Sequence, residues 1–123
     1  MSYDHGLLFQ GISHSLSQSP SISLVGLSRE LQVSPRTIEM AVATMTGKTF
    51  RDVREEILMA TVRCLFVSDS ALAVKELSQR VGYKSASSFA RAVRRACGLC
   101  PEELRFRMAR EEMLAMGIPE HVA

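Results

Sequence analysis

The residues best suited to chemistry lie in one short stretch of this 123-residue chain, Lys84 to Arg95, which reads KSASSFARAVRR. Its serines, lysine and arginines are donors of the kind that hold phosphate oxygens, and a guanidinium can also bond the edge of a guanine bidentately. Phe89, Val93 and Cys97 recur every four residues and so share one side of a helix, while Ser87, Arg91, Arg94 and Arg95 fall largely on the other. A second feature, Cys97-Gly98-Leu99-Cys100, has the spacing of redox and metal sites, and a thiol at a helix N-terminus, as Cys100 would be, is the more reactive kind. A zinc site needs about four ligands, yet Cys64 stands alone and His5, His14 and His121 lie towards the ends of the chain. Cys97 also continues the Phe89/Val93 stripe, so the pair reads as a core thiol followed by a helix cap. There is no glycine-rich phosphate loop, no paired histidine and carboxylate, and no nucleophile motif, so the residues argue against an enzyme and imply no cofactor.

Charge is unevenly placed. The formal net charge is only +2, but residues 74–110 hold nine basic side chains against three acidic ones. A positive third of a domain points to a polyanionic partner on that side. Hydrophobic residues make up 46% and charged residues 23%, ordinary for a soluble globular domain. No apolar run is long enough for a bilayer and no signal pattern opens the chain, so no membrane is expected and the cytoplasm is the default location. The three cysteines are then most simply reduced thiols.

The elements that must position these residues are helices. Leu8, Ile12 and Leu16 predict a first helix over about 7–18, ended at Pro20, with residues 1–6 frayed. Leu24, Leu27 and Leu31 mark a short second helix, followed by a turn at 32–34. Ser34-Pro35 opens a third, with serine as the cap and proline at the first helical position. Its inner stripe is expected to be Ile38, Val42 and Met45, ending at Gly47. Thr49 caps a long fourth helix reaching about Val67, with Phe50, Val53, Ile57, Ala60 or Thr61, Cys64 and Leu65 as its apolar face. Val74, Leu77 and Val81 form a fifth, stopped by Gly82. The sixth occupies 85–97, and Pro101 opens a seventh with two acids in its first turn. Nothing alternates with period two, so no strand is expected.

These pieces repeat. Leu24, Leu27 and Leu31 match Val74, Leu77 and Val81 at an offset of 50. Ser34, Ile38, Val42 and Gly47 match Ser85, Phe89, Val93 and Gly98 at 51, as one residue inserted in the second turn would produce. Each unit has the form of a helix-turn-helix: a short helix, a turn, and a second helix with one buried face and one outward face. The fold class is therefore all-α, about seven helices, with two such units in a tandem, homeodomain-like arrangement. The expected organisation is an N-terminal tail and first helix (1–20), a first unit (21–48), a linker helix (49–70), a second unit with its closing helix (71–110), and a C-terminal extension (111–123). A 19-residue connector spans roughly 28 Å, close to the roughly 34 Å of one DNA turn. Two outward helices could then enter successive major grooves.

The segment from about Leu24 to Met108 resembles the DNA-binding domain of the AraC/XylS family of bacterial transcription regulators. Gly82-Tyr83, Ser85-Ala86-Ser87, Phe89, Arg91-Ala92, Arg94-Arg95, Gly98 and Pro101 sit at that family's spacing, and Ser34-Pro35-Arg36-Thr37 followed by Gly47 resembles its first unit. The resemblance implies a seven-helix domain that binds double-stranded promoter DNA, commonly activating through RNA polymerase. The chain starts at a methionine and shows no separate ligand-sensing domain, as in the family's free-standing regulators or in a piece of a longer one. Oligomeric state stays open.

In the second unit the resemblance implies contacts by Ser85, Ala86, Ser87, Ala90 and Arg91, with Arg91 reading a base. Lys84, Ser85, Ser87, Ser88 and Arg95 are expected on phosphates, and Arg94 lies on the same face. The competing reading is a solvated face with Ser85 as a cap alone. In the first unit the outward residues are Arg36, Glu39, Met40 and Ala43, beside Ser34 and Thr37, with only one positive charge. Arg36 and Thr37 could touch phosphate or base; Glu39 could accept from cytosine N4, and Met40 and Ala43 could meet thymine methyls. A carboxylate near phosphates opposes binding, so weak DNA contact and a protein-facing surface stay equally open here. Two rivals follow: a protein-interaction module on the same fold, and a thiol redox sensor using Cys97 and Cys100. Met45, Met59, Met108 and Met113 are expected in the core. The Met113-Leu114-Met116 cluster would either pack on the domain or form a small partner surface, and Pro119 onward is expected to be loose.

Overall fold

The computed structural model describes residues 4–117 and contains seven helices. They are α1 (His5–Gln18), α2 (Leu24–Leu31), α3 (Pro35–Thr46), α4 (Phe50–Ser68), α5 (Val74–Val81), α6 (Ala86–Cys97) and α7 (Pro101–Ala115). No strand occurs among the described residues. Local chemistry fixes most of the boundaries. Ser23, Ser34, Thr49 and Ser85 each accept a hydrogen bond from a backbone N–H in the first turn of the helix they cap, which satisfies a donor with no partner inside the helix. Thr49 and Asp52 form a reciprocal capping box. Asp4 does the same work for α1, accepting from the Leu7 amide at 3.1 Å, so that helix begins at His5 and part of the stretch expected to fray is helical. Pro119 and His121 lie outside the described residues.

Two hydrophobic cores organise the helices. Ile12 and Leu16 of α1 join Leu27 of α2, Ile38, Ala41 and Val42 of α3, and Phe50 and Val53 of α4 in the first. The second gathers Leu58, Val62 and Phe66 of α4 with Leu72, Leu77, Val81, Phe89, Ala92, Val93 and Leu104. Helix α4 therefore belongs to both. Its buried face is not the single stripe expected from the sequence: Ala60 and Cys64 are exposed, and Leu58, Val62 and Phe66 are buried instead. A helix that serves two cores in succession must turn one face to the first and a rotated face to the second.

Two further expectations are corrected. Met45 sits in the last turn of α3 with 48% exposure, its inner place taken by Ala41, and Met113 is 42% exposed on α7. Met59 and Met108 do pack against the second core. Leu114 and Met116 are exposed as well, so this cluster does not pack on the domain.

The repeat is visible in the turns. Helices α2 and α3 are separated by residues 32–34, and α5 and α6 by 82–85, the extra residue predicted. Gln32 (φ 56°) and Gly82 (φ 93°), 50 positions apart, both end their helices in the left-handed conformation. The units also touch directly: Ser21 Oγ, in the α1–α2 connector, donates to the Gly82 carbonyl at 2.9 Å. The connecting helix is tied to the first unit as well, since Arg54 Nη1 of α4 donates to the Ile22 carbonyl at 3.3 Å.

Candidate nucleic-acid interface

Helix α6 is strongly two-sided. Phe89, Ala92 and Val93 are buried, and the Tyr83 ring meets Phe89 edge-on with centroids 5.6 Å apart. This packing sets the rotation of the helix and turns Ser87, Arg91, Arg94 and Arg95 outward, all of them exposed. Ala86, Ser88 and Ala90 are half-buried along the edge, and Lys84 is exposed in the preceding turn. Ser85 is the cap of α6: its Oγ accepts from the Ser88 amide at 3.1 Å, and the Ser88 hydroxyl lies 3.0 Å from it. The same pair recurs in the first unit, where Ser34 Oγ accepts from the Thr37 amide and shares a 2.8 Å hydrogen bond with the Thr37 hydroxyl.

The arginines of α6 differ in their partners. Arg91 makes no hydrogen bond or ion pair among the described residues. Arg94 and Arg107 lie close enough to Glu103 to help hold that carboxyl below its usual range, after the hydrogen bonds it shares with the Cys100 thiol and backbone. The Arg95 Nε is 3.5 Å from the Glu55 carboxylate of α4.

Helix α3 turns Arg36, Glu39, Met40 and Ala43 outward, with Met40 49% exposed. These side chains line a shallow groove shared with Arg51 in the first turn of α4. Arg51 in turn places its Nε 3.4 Å from Glu55 Oε1. A strip of polar side chains thus runs from the outward face of α3, across Arg51 and Glu55, to Arg95 and the outward face of α6. Tyr83 stands beside this crossing, where burial raises its hydroxyl pKa while nearby Arg54 and Arg95 oppose the shift and Glu55 adds to it.

Sequence reasoning grouped the α3 and α6 residues correctly by face but missed the crossing. Glu55 was hidden because its two partners come from different helices. Arg51 carried a local signal: a cation in the first turn of a helix works against the helix dipole, so a reason for it lies elsewhere. The three cysteines are free thiols. Cys97 packs against the second core with its thiol 3.7 Å from the Leu99 carbonyl, while Cys100 occupies the cap position of α7 without making a side-chain capping bond. Among the described residues no group of histidines, cysteines and carboxylates could hold a metal ion, and no helix is long and apolar enough to cross a membrane.

Two short helix-turn-helix units on a shared long helix define a class of proteins, and the sequence match agrees with it. The family described as "Helix-turn-helix domain" matches residues 27–107, and the chain belongs to the AraC-type helix-turn-helix family. The fold is similar to the C-terminal domain of AraT, a response regulator from Geobacillus stearothermophilus, at 25% identity and a TM-score of 0.69 over 86% of both chains. It is also similar to a DNA-binding transcriptional dual regulator from Escherichia coli K-12, at 20% identity and a TM-score of 0.60, over 81% of this chain and 90% of that one. The transcriptional regulator CdpR from Pseudomonas aeruginosa is 32% identical over 68% of this chain, with a TM-score of 0.54, but only 26% of that chain is covered. No curated protein sequence matches.

Proposed function

We propose that this protein is a sequence-specific regulator of transcription that binds double-stranded DNA, with α6 as its principal anchor in the major groove. The observation that carries the reading is Arg91: exposed on the outward face of the second helix of a helix-turn-helix, without a hydrogen bond or ion pair among the described residues, and set on a helix whose rotation is fixed by Phe89 and Val93. Arg91 bonds a guanine, while Lys84, Ser87, Arg94 and Arg95 hold phosphates and fix register. Ser85 and Ser88 orient the start of the helix and offer their remaining hydroxyl capacity to the backbone, and Ala86 and Ala90 allow close approach. In the first unit Arg36 and Thr37 hold the backbone, and Glu39 and Met40 face the bases. The protein acts in the cytoplasm, and an outward surface recruits RNA polymerase.

The test is selection from random duplexes, followed by fluorescence-anisotropy titration at two salt concentrations. A selected site, affinity that falls steeply with salt, and a loss of about tenfold or more for Arg91→Ala, confined to one base pair's preference, are expected. Absence of any enriched site, with weak binding at both salts, would refute the reading. That outcome would favour a protein-interaction module, a reading supported by the low charge of the α3 face and the half-exposed Met40.

A further inference from the structure

Two arginines from different helices converge on one oxygen. Arg51 Nε of α4 lies 3.4 Å, and Arg95 Nε of α6 3.5 Å, from the same Glu55 Oε1. The Arg51 contact is a hydrogen bond and the Arg95 contact an ion pair, each closest at Nε. The terminal Nη1 and Nη2 atoms of both make no hydrogen bond among the described residues, and the two side chains are 64% and 48% exposed while Glu55 is 21% exposed. A carboxylate that takes the inner edge of a guanidinium leaves its outer edge, a two-donor fork, for another anion. Two such forks held side by side carry one more positive charge than the carboxylate between them cancels. They also lie on the strip that joins the outward faces of α3 and α6.

We propose that Arg51 and Arg95, held on Glu55, form a two-arginine clamp for a single DNA phosphate lying between the half-sites read by α3 and α6. Glu55 is a positioning residue: it touches no DNA and spends its charge on aligning the two forks. The clamp rests on the DNA-binding reading, and it adds a contact that neither recognition helix makes alone, since one fork comes from the connecting helix. It also accounts for a cation in the first turn of α4, where the helix dipole disfavours one.

The experiment uses the full chain and a selected duplex in which the phosphates between the half-sites are replaced one at a time by neutral methylphosphonates. One replacement is expected to weaken the parent by about tenfold, as for loss of a charged hydrogen-bonded pair, and to leave an Arg51→Ala/Arg95→Ala double variant unchanged. The double variant should lower the slope of log K against log salt by about 0.9, the value for one phosphate, and not by twice that, because both forks hold the same group.

Glu55→Gln separates the clamp from simple charge. The substitution adds a unit of positive charge, so if Glu55 only repelled DNA the variant would bind more tightly. The clamp requires weaker binding, loss of the methylphosphonate effect, and recovery of both with Glu55→Asp. Thermal melts of every variant exclude unfolding as the cause. Tighter binding by Glu55→Gln, or a methylphosphonate penalty equal in parent and double variant, overturns the clamp while leaving the DNA-binding reading intact. A parent that shows no salt-dependent binding overturns both.

Discussion

Leu16→Ala should lower the unfolding temperature of the second unit, although Leu16 packs in the first core. Leu16 is fully buried on α1 among Ile12, Leu27, Ile38 and Val42. Truncating such a leucine costs about 3 kcal/mol, transfer and cavity terms together. For a chain of this length that is a drop of about 12 °C in the melting temperature. The question is which part of the molecule feels it. Helix α4 contributes Phe50 and Val53 to one core and Leu58, Val62 and Phe66 to the other, and Ser21 bonds Gly82 across the units, so the loss should be shared. The chain has two tyrosines and no tryptophan, so in a Tyr3→Phe background the only tyrosine fluorescence comes from Tyr83, beside Phe89 in the second unit. Melting followed by that signal and by far-UV circular dichroism should give coincident single transitions, both shifted by the same amount in Leu16→Ala. If the Tyr83 transition stays at the parent temperature while the dichroism splits into two steps, the two cores are independent and the reasoning fails.

Other outcomes are expected. Arg105→Ala should destabilise the fold by about 2 kcal/mol, measured by urea unfolding. It removes a guanidinium 5.1 Å from the centre of the Phe66 ring, which also donates to the Ser70 carbonyl at 3.0 Å and to Glu102 at 3.2 Å. Arg105→Lys should recover less than half, because an ammonium cannot fork to both partners. Gly82→Ala should cost about 1–2 kcal/mol for a left-handed residue alone, and its Cβ would also come within 2.8 Å of Ser21 Oγ. Adding Ser21→Ala should return part of the loss and leave the backbone strain. Burial raises the Tyr83 pKa above its ordinary value, so the unfolded chain deprotonates first. The contribution is complete below pH about 10 and is lost as pH rises through the folded value. Tyr83→Phe should flatten that alkaline decline in urea-unfolding midpoints.

The helices and their ends were legible in the sequence because their causes are local. Ser34-Pro35, Thr49 with Asp52, and Gly47, Gly82 and Gly98 each act within one turn, and the stripe Phe89/Val93 faces a single core. Helix α4 was misread because it has no single inside: apolar residues at 50, 53, 57, 58, 62, 65 and 66 cover much of its circumference, and only the docking of two units selects which are buried at each end. Met45 was misread for a related reason, as it continues the α3 stripe past the point where the first core ends. At the site, the outward placing of Ser87, Arg91, Arg94 and Arg95 followed from facing, whereas Ser85, Ala86 and Ala90 came from the family resemblance. The crossing joins positions 51, 55, 83 and 95; Arg51 and Glu55 share a helix face at i,i+4, but no periodicity links them to Tyr83 and Arg95.

The two left-handed turn residues give the halves of the repeat unequal room for change. Position 32 holds a glutamine at φ 56°, the one non-glycine residue with positive φ among those described. It is exposed, so glycine or asparagine would suit the same backbone better, and several side chains are tolerable there. Its counterpart, Gly82, is pinned twice, once by its own φ of 93° and once by Ser21 reaching over from the other unit. Of two matching turns, contact between the units leaves the one at 82 closed to substitution and the one at 32 open.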